Sequence, residues 1–174
     1  YIINTQRKPG TELYMYEGSD HKLNIRSTKP SSTKFDDVWV MRVINGQSVL
    51  QNLGTGRYVQ KQSTKYTNYY TGANPYAFWF KRFGFVNGNT YWDIANTNDN
   101  NEGLHGDGDL RVVPWEPGVP GSSLTCSEWV IREAGISNDQ VKQRLTQLSG
   151  AKRPEDGKYY RIVCVDYKRP LKID

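Results

Sequence analysis

The chain has few of the residues that metal sites, disulfide scaffolds and membrane spans require. It has 2 cysteines in 174 residues, Cys126 and Cys164, too few for a disulfide framework and without metal-ligand spacing. Their pairing is left open. No apolar run approaches the ~20 residues that span a bilayer, and no signal peptide is recognisable at Tyr1. We therefore expect no metal, no cofactor and no membrane partner.

Neither basic nor acidic residues are concentrated in one stretch of the chain. The formal charge of +5 comes from 23 basic and 18 acidic side chains scattered along the chain. Nucleic-acid binding requires lysine and arginine gathered on one face or one helix. A solvated surface explains the scatter more simply, so we expect no nucleic-acid partner.

Catalytic residue patterns are missing as well. The two histidines, His21 and His105, are far apart, neither cysteine has a neighbouring histidine, and no glycine-rich phosphate loop is present. Asp36 and Asp37 are adjacent, so in a strand they would point to opposite faces. Glycosidases need two carboxyl groups that face each other across a sugar. The sequence therefore favours a protein that is not an enzyme.

Aromatic residues are abundant, at 13% of the chain with 12 tyrosines. This content argues against disorder and favours short twisted strands. A tryptophan with apolar neighbours, followed by a basic residue, recurs at Trp39, Trp79 and Trp129 at intervals of 40 and 50 residues. Each interval holds about four short strands. We interpret the tryptophans as the ends of three related units; the alternative is that they are simply good core residues.

Local signals divide the chain further. Asn-Gly pairs at residues 45–46 and 87–88 lie between strand-like runs and predict hairpins. Residues 63–74 are polar and rich in tyrosine, which predicts an exposed loop whose rings serve either as sugar platforms or as loop packing. Ser137 predicts the start of a helix that ends before Gly150.

The end of the chain repeats features of its start. A Tyr-x-Ile run followed by a basic residue pair and proline occurs at residues 160–170 as well as at residues 1–9. Either residues 157–174 open a second copy of the domain, or they complete the first by lying against its N-terminal strand. An isolated strand would expose an unpaired edge. We therefore expect a domain at 1–134, a helical linker at 135–156 and a terminal strand that pairs with an ordered element.

Three motifs carry a resemblance to a known family: Asn-x-Gly-Thr-Gly-Arg-Tyr-Val at residues 52–59, Gly-Leu-His at residues 103–105, and the three tryptophan closures. With them the chain resembles a ricin B-type β-trefoil, of the kind attached to secreted and surface proteins of Bacteroidetes. The resemblance covers about residues 1–134. It implies an all-β fold, a β-trefoil of three degenerate four-strand units, followed by a short helix and a terminal strand.

The resemblance also implies a site in the third unit. Lectin members of the family bind sugar hydroxyls with an acidic residue and a polar pair, and stack the pyranose on an aromatic ring. The acid corresponds to Asp107, the ring to Trp115, and Ser127 stands where an amide is expected, with His105 nearby. Each residue has a structural alternative: Asp107 bonds its own turn, Trp115 plugs the barrel and His105 is a packed residue.

The function that the resemblance implies is non-catalytic carbohydrate binding within a larger secreted or surface protein. Its partners would be glycans and other domains of the same chain. The alternative is a structural or protein-interaction trefoil that has lost sugar binding, because no unit has the complete set of site residues and a fold alone does not give a function. Convergence of Asp107, Trp115 and a polar group on one exposed pocket would discriminate the two.

Overall fold

A computed structural model describes residues 1–5, 7–8, 10–30, 33–96, 102–115, 124–150, 163–164 and 169–170. Within these residues the chain consists mainly of short β-strands, with a single α-helix and a short 3-10 helix at Leu124–Ser127. The predicted all-β class is confirmed.

Twelve strands form the body of the described chain. They are β1 (Ile2–Asn4), β2 (Leu13–Glu17), β3 (Leu23–Arg26), β4 (Trp39–Ile44), β5 (Gln47–Asn52), β6 (Tyr58–Val59), β7 (Thr71–Gly72), β8 (Trp79–Val86), β9 (Asn89–Ala95), β10 (Gly103–Gly106), β11 (Val112–Trp115) and β12 (Trp129–Ile131). The helix α1 (Asn138–Leu148) follows them, and then β13 (Val163–Cys164) and β14 (Arg169–Pro170).

The pairing of the body strands recurs every four strands. The pairs β2–β3, β6–β7 and β10–β11 are antiparallel, and so are β4–β5, β8–β9 and β12–β1, which lie between them along the chain. The last of these joins opposite ends of the body, with Ile2 opposite Ile131, so the sheet is nearly closed.

The three short pairs also meet one another. Backbone hydrogen bonds of 2.8 Å run from Leu23 N to Tyr69 O, from Tyr69 N to Val112 O and from Ile25 N to Leu110 O. The strands β3 and β7 and the region of β11 are thereby joined in one cluster, although they lie far apart in sequence.

Both predicted Asn-Gly hairpins are confirmed. Asn45 and Gly46 have φ angles of 51° and 75°, and Asn87 and Gly88 have 49° and 78°. Two consecutive left-handed residues are the requirement of a type I′ turn, whose twist matches that of the strands it joins. The turns connect β4 to β5 and β8 to β9. The strands β12 and β1 also pair, but they lie at opposite ends of the body and are not consecutive in the chain.

Two of the three recurring tryptophans lie in the core and use their indole nitrogen in the same way. Trp39 is 7% exposed and donates from Nε1 to the Met15 carbonyl at 2.9 Å. Trp129 is completely buried and donates to the Leu104 carbonyl at 2.7 Å. Each indole therefore forms a hydrogen bond from the first residue of its strand to an earlier strand, from β4 to β2 and from β12 to β10.

Trp79 does not occupy the equivalent core position. It begins β8 but is only half-buried, whereas the preceding Phe78 is 2% exposed and packs in the same cluster as Trp39 and Trp129. Because neighbouring side chains of an extended chain point to opposite faces, an offset of one residue exchanges core for surface. The predicted equivalence of the three tryptophans thus holds for two of them.

The predicted helix is confirmed at both ends. The Ser137 hydroxyl accepts from the Gln140 backbone N–H, and the Gln140 side chain accepts in return from the Ser137 N–H, which is a capping box. The helix lies on the body, where Arg144 donates to the Gly54 carbonyl at 3.1 Å. Within the described part of the chain, no helix has the length and apolar character needed to cross a membrane.

The terminal segment is described only in part. The strands β13 and β14 pair with each other in antiparallel register, and β1 has β2 on one side and β12 on the other. The rest of the predicted segment 157–174 lies outside the described residues. The division into 1–134, 135–156 and 157–174 stays a prediction.

Candidate functional site

A cavity of about 240 Å³ lies where β10, β11 and the turn between them meet the loop before β7. Its lining consists of Arg7, Tyr66, His105, Asp107, Gly108, Val113 and Trp115. Three of the four predicted site residues line it together, and the fourth, Ser127, lies behind His105. The antiparallel register of β10 and β11, which pairs His105 with Val113, explains why residues from both strands reach the same space.

Aromatic rings form one wall of the cavity. Trp115 is half-buried, and the Tyr66 ring meets it edge-on at 5.2 Å between centroids. Tyr66 is 62% exposed, so this tyrosine of the predicted exposed loop lies at the mouth of the cavity. The Lys65 Nζ lies 5.5 Å from the centroid of the Trp115 ring. The wall therefore combines an accessible apolar surface with a polar rim.

His105 supports this wall from within the fold. It is 5% exposed, its Nδ1 lies 2.8 Å from the Ser127 hydroxyl, and its ring centroid lies 5.7 Å from that of Trp115. Burial, with a smaller contribution from the Arg7 guanidinium, lowers the pKa of His105 to about 4, so the imidazole is neutral at pH 7. Ser127 is 1% exposed. His105 thus links the buried Ser127 hydroxyl to the Trp115 side of the cavity.

The Asp107 carboxylate is committed to the turn between β10 and β11. Its Oδ1 accepts from the backbone N–H groups of Asp109 at 3.0 Å and Arg111 at 2.9 Å. Its Oδ2 accepts from Arg111 Nε at 2.8 Å and pairs with Arg111 Nη2 at 2.6 Å. Since a carboxylate offers about four acceptor positions, the turn uses all of them. A direct bond from Asp107 to a sugar stays a prediction, and it requires one of these bonds to be exchanged.

Replacing Asp107 by alanine is expected to lower the free energy of unfolding by about 1–3 kcal/mol, because two turn N–H groups lose their acceptor and the Arg111 side chain keeps, among the described residues, only its contact with Asp109. Urea denaturation at pH 7 measures the loss. Asp107→Asn is the matched control: its amide oxygen still accepts from the turn, so it should lose less. Equal stability of the alanine variant and the wild type would contradict the role of Asp107 in the turn.

Arg7 is the cavity residue that the sequence analysis missed. Its backbone N–H donates to Asn4 Oδ1 at 2.8 Å, and its guanidinium reaches the segment before β12, where Nη1 lies 4.0 Å from the Cys126 sulfur. A Cβ on Gly108 would lie 2.7 Å from Arg7 Nη2, so the missing side chain of this glycine leaves room for the guanidinium. No local pattern links Arg7 to residues about one hundred positions later, and no sequence signal identifies it.

The adjacent carboxylates Asp36 and Asp37 do not behave as expected. They lie in a turn before β4, and Arg26 Nη2 binds Asp36 Oδ1 at 2.7 Å and Asp37 Oδ2 at 2.8 Å. The expectation that they point to opposite faces is wrong, because the alternation of a strand does not apply in a turn. Within the described residues, no group of three or more histidine, cysteine, aspartate or glutamate residues is arranged to hold a metal ion.

Comparison with known proteins gives a likeness of fold. No protein-family model and no curated protein matches the chain. A solved structure, the GlcNAcα1-4Gal releasing endo-β-galactosidase from Clostridium perfringens, is similar over 76% of this chain with a TM-score of 0.50 and 21% sequence identity. The match spans 32% of that protein, about a third of its length. At this identity the likeness concerns the fold alone.

Proposed function

We propose that residues 1–134 form a ricin B-type β-trefoil that binds carbohydrate without catalysis, as a domain of a larger secreted or surface protein. The trefoil is supported by strand pairing that recurs every four strands, by the two type I′ hairpins at equivalent junctions and by the pairing of β1 with β12. The clustering of β3, β7 and the region of β11 is the contact that three related hairpins make at one end of such a fold.

The observation that carries the binding function is the accessible Trp115 ring in the wall of the cavity. The indole and the exposed Tyr66 ring form an apolar surface, and the polar groups of Arg7 and Lys65 lie beside it. The cavity, at about 240 Å³, is smaller than the roughly 300–1,000 Å³ of pockets for drug-sized ligands. It therefore suits a single sugar ring better than a long oligosaccharide.

The structural neighbour guides the choice of ligand. Its name describes an enzyme that acts on a galactose-containing glycan, and this chain corresponds to about a third of its length. A binding role beside a carbohydrate-active domain agrees with both facts. Galactose-containing glycans are thus the first probes. One small site binds weakly, so neighbouring domains or tandem copies would raise the affinity through effective concentration.

A glycan array with wild type and Trp115→Ala tests the proposal. We expect the wild type to bind a defined set of glycans and the variant to lose at least about tenfold in affinity, because burial of part of an aromatic side chain contributes about 1.5–3 kcal/mol. Tyr76→Ala is the matched control, since Tyr76 is 45% exposed and lies outside the cavity lining. It should bind like the wild type.

The alternative function is a structural or protein-interaction domain. It is favoured by the saturated Asp107 carboxylate and by the burial of Ser127, which remove two polar groups from direct contact with a ligand. A wild-type protein that is folded by circular dichroism and binds no glycan would overturn the carbohydrate-binding proposal in favour of this alternative.

A further inference from the structure

The cavity presents hydrogen-bond donors where acceptors were expected. The guanidinium of Arg7 carries five N–H donors, and among the described residues its side chain donates only to the Cys126 sulfur, at 4.0 Å. Sulfur is a weak acceptor. As far as the described residues are concerned, the other donors of Arg7 remain for a ligand.

The carboxylate at the cavity does not compete for these donors. Both oxygens of Asp107 are engaged by the turn N–H groups and by Arg111. His105 is neutral at pH 7 and its Nδ1 is paired with Ser127, so it neither adds charge nor neutralises Arg7. The ligand group that complements this arrangement is rich in acceptors and negatively charged.

The position of the guanidinium depends on Gly108. Because a Cβ there would lie 2.7 Å from Arg7 Nη2, alanine at position 108 would push the guanidinium away. The Trp115 ring lines the same cavity, so a sugar ring stacked on the indole would share this small space with Arg7. One planar cation and one aromatic ring thus line a single small site.

We propose that this cavity binds an acidic sugar, with the carboxylate or sulfate of the sugar held by the Arg7 guanidinium and the sugar ring stacked on Trp115. The inference rests on the proposed carbohydrate-binding function and adds the charge of the ligand. Arginine suits this role because its planar fork donates two parallel hydrogen bonds to a carboxylate or sulfate-like anion. Lys65, whose Nζ lies 5.5 Å from the centroid of the Trp115 ring, adds positive charge at the rim.

Matched neutral and acidic glycans test the inference. Lactose, sulfated lactose and sialylated lactose form one such set, and an array supplies further pairs that differ only in the acid group. Calorimetric titration of the wild type is expected to show about tenfold or tighter binding of the acidic member, as charge-assisted hydrogen bonds contribute about 1.5–3 kcal/mol. The sulfated and sialylated arms show which acid is preferred. Raising NaCl from about 0.05 M to about 0.5 M should weaken the acidic ligand more than the neutral one.

Four variants separate the contributions of Arg7, Gly108 and Trp115. Arg7→Gln is expected to abolish the preference for the acidic member, whereas Tyr76→Ala, outside the cavity lining, should keep it. Arg7→Lys should keep part of the preference, because the charge remains but the fork is lost. Gly108→Ala should resemble Arg7→Gln, although it changes no charge, because it displaces the guanidinium. Trp115→Ala should weaken both members.

The outcomes distinguish this inference from the function on which it rests. Equal affinity of the wild type for neutral and acidic members, or an unchanged preference in Arg7→Gln, would overturn the acidic-sugar inference and leave carbohydrate binding in place. Absence of binding to every glycan by folded wild-type protein would overturn both.

Discussion

Replacing Trp129 by alanine is expected to lower the free energy of unfolding by about 3–5 kcal/mol. The side chain is completely buried, and its Nε1 donates to the Leu104 carbonyl at 2.7 Å. The change leaves a cavity in the main core cluster and a buried carbonyl without its donor. Since domains of this size are stable by roughly 5–15 kcal/mol, the variant would lose a large share of its stability.

Urea denaturation of three variants measures this effect and its origin. Trp129→Phe keeps most of the ring volume and removes the hydrogen bond, so it should lose about 1–3 kcal/mol. Trp79→Ala should lose less than Trp129→Ala, because Trp79 is only half-buried and Phe78 takes the core position. Equal losses at Trp79 and Trp129 would contradict the assignment of the core position to Phe78 rather than Trp79.

The second large effect is a dependence of stability on pH that arises from Asp93. This residue is 1% exposed, neither carboxylate oxygen has a hydrogen-bond partner among the residues that the structure describes, and burial raises its pKa from 3.8 to about 6. The folded state therefore binds the proton more tightly than the unfolded state does. The stabilisation is fully present below pH 3.8 and is lost as the pH rises through about 6, at a cost of about 3 kcal/mol.

His105 contributes a dependence of stability on pH that has the opposite sign to that of Asp93. Burial lowers its pKa from 6.5 to about 4, so the unfolded state binds the proton more tightly. Its contribution is fully present above pH 6.5 and is lost as the pH falls through about 4, again about 3 kcal/mol. In the wild type the contributions of Asp93 and His105 to the free energy of unfolding oppose each other between about pH 4 and pH 6. Single variants show each contribution separately.

Urea denaturation of wild type, Asp93→Asn and His105→Gln at pH 4, 5, 6 and 7 measures both effects, because this range extends from the pKa of about 4 to above the pKa of about 6. Relative to wild type, Asp93→Asn should gain about 2 kcal/mol in going from pH 4 to pH 7. His105→Gln should change in the opposite direction over the same range. A difference between Asp93→Asn and wild type that does not vary with pH would show that the buried carboxyl does not titrate as described.

Local sequence patterns determined the parts of the fold that depend on few residues. The Asn-Gly turns at 45–46 and 87–88 follow from the tolerance of these two residue types for positive φ. The helix start at Ser137 follows from a side chain that satisfies the first free N–H groups. The all-β class follows from the short aromatic runs between turns. Each signal lies within a few residues of the structure that it specifies.

Part of the candidate site was also accessible from sequence. His105 and Trp115 lie on two adjacent strands and Asp107 lies in the turn that joins them, so a local hairpin is enough to bring all three to one cavity. The alternative reading of Asp107, as a residue that bonds its own turn, describes the observed contacts. A local motif specified the place of these side chains, whereas their binding partners depended on more distant residues.

The sequence by itself determined the strand-rich class, the two tight hairpins, the capped helix and the segment that carries the cavity, because each depends on interactions between neighbours in the chain. Only the tertiary structure decided that Arg7 and Tyr66 complete the cavity and that Phe78, rather than Trp79, enters the core. The physical reason is distance along the chain: Arg7 meets Gly108 only after β1 pairs with β12 and the sheet nearly closes, and a one-residue offset in a strand leaves no trace in composition.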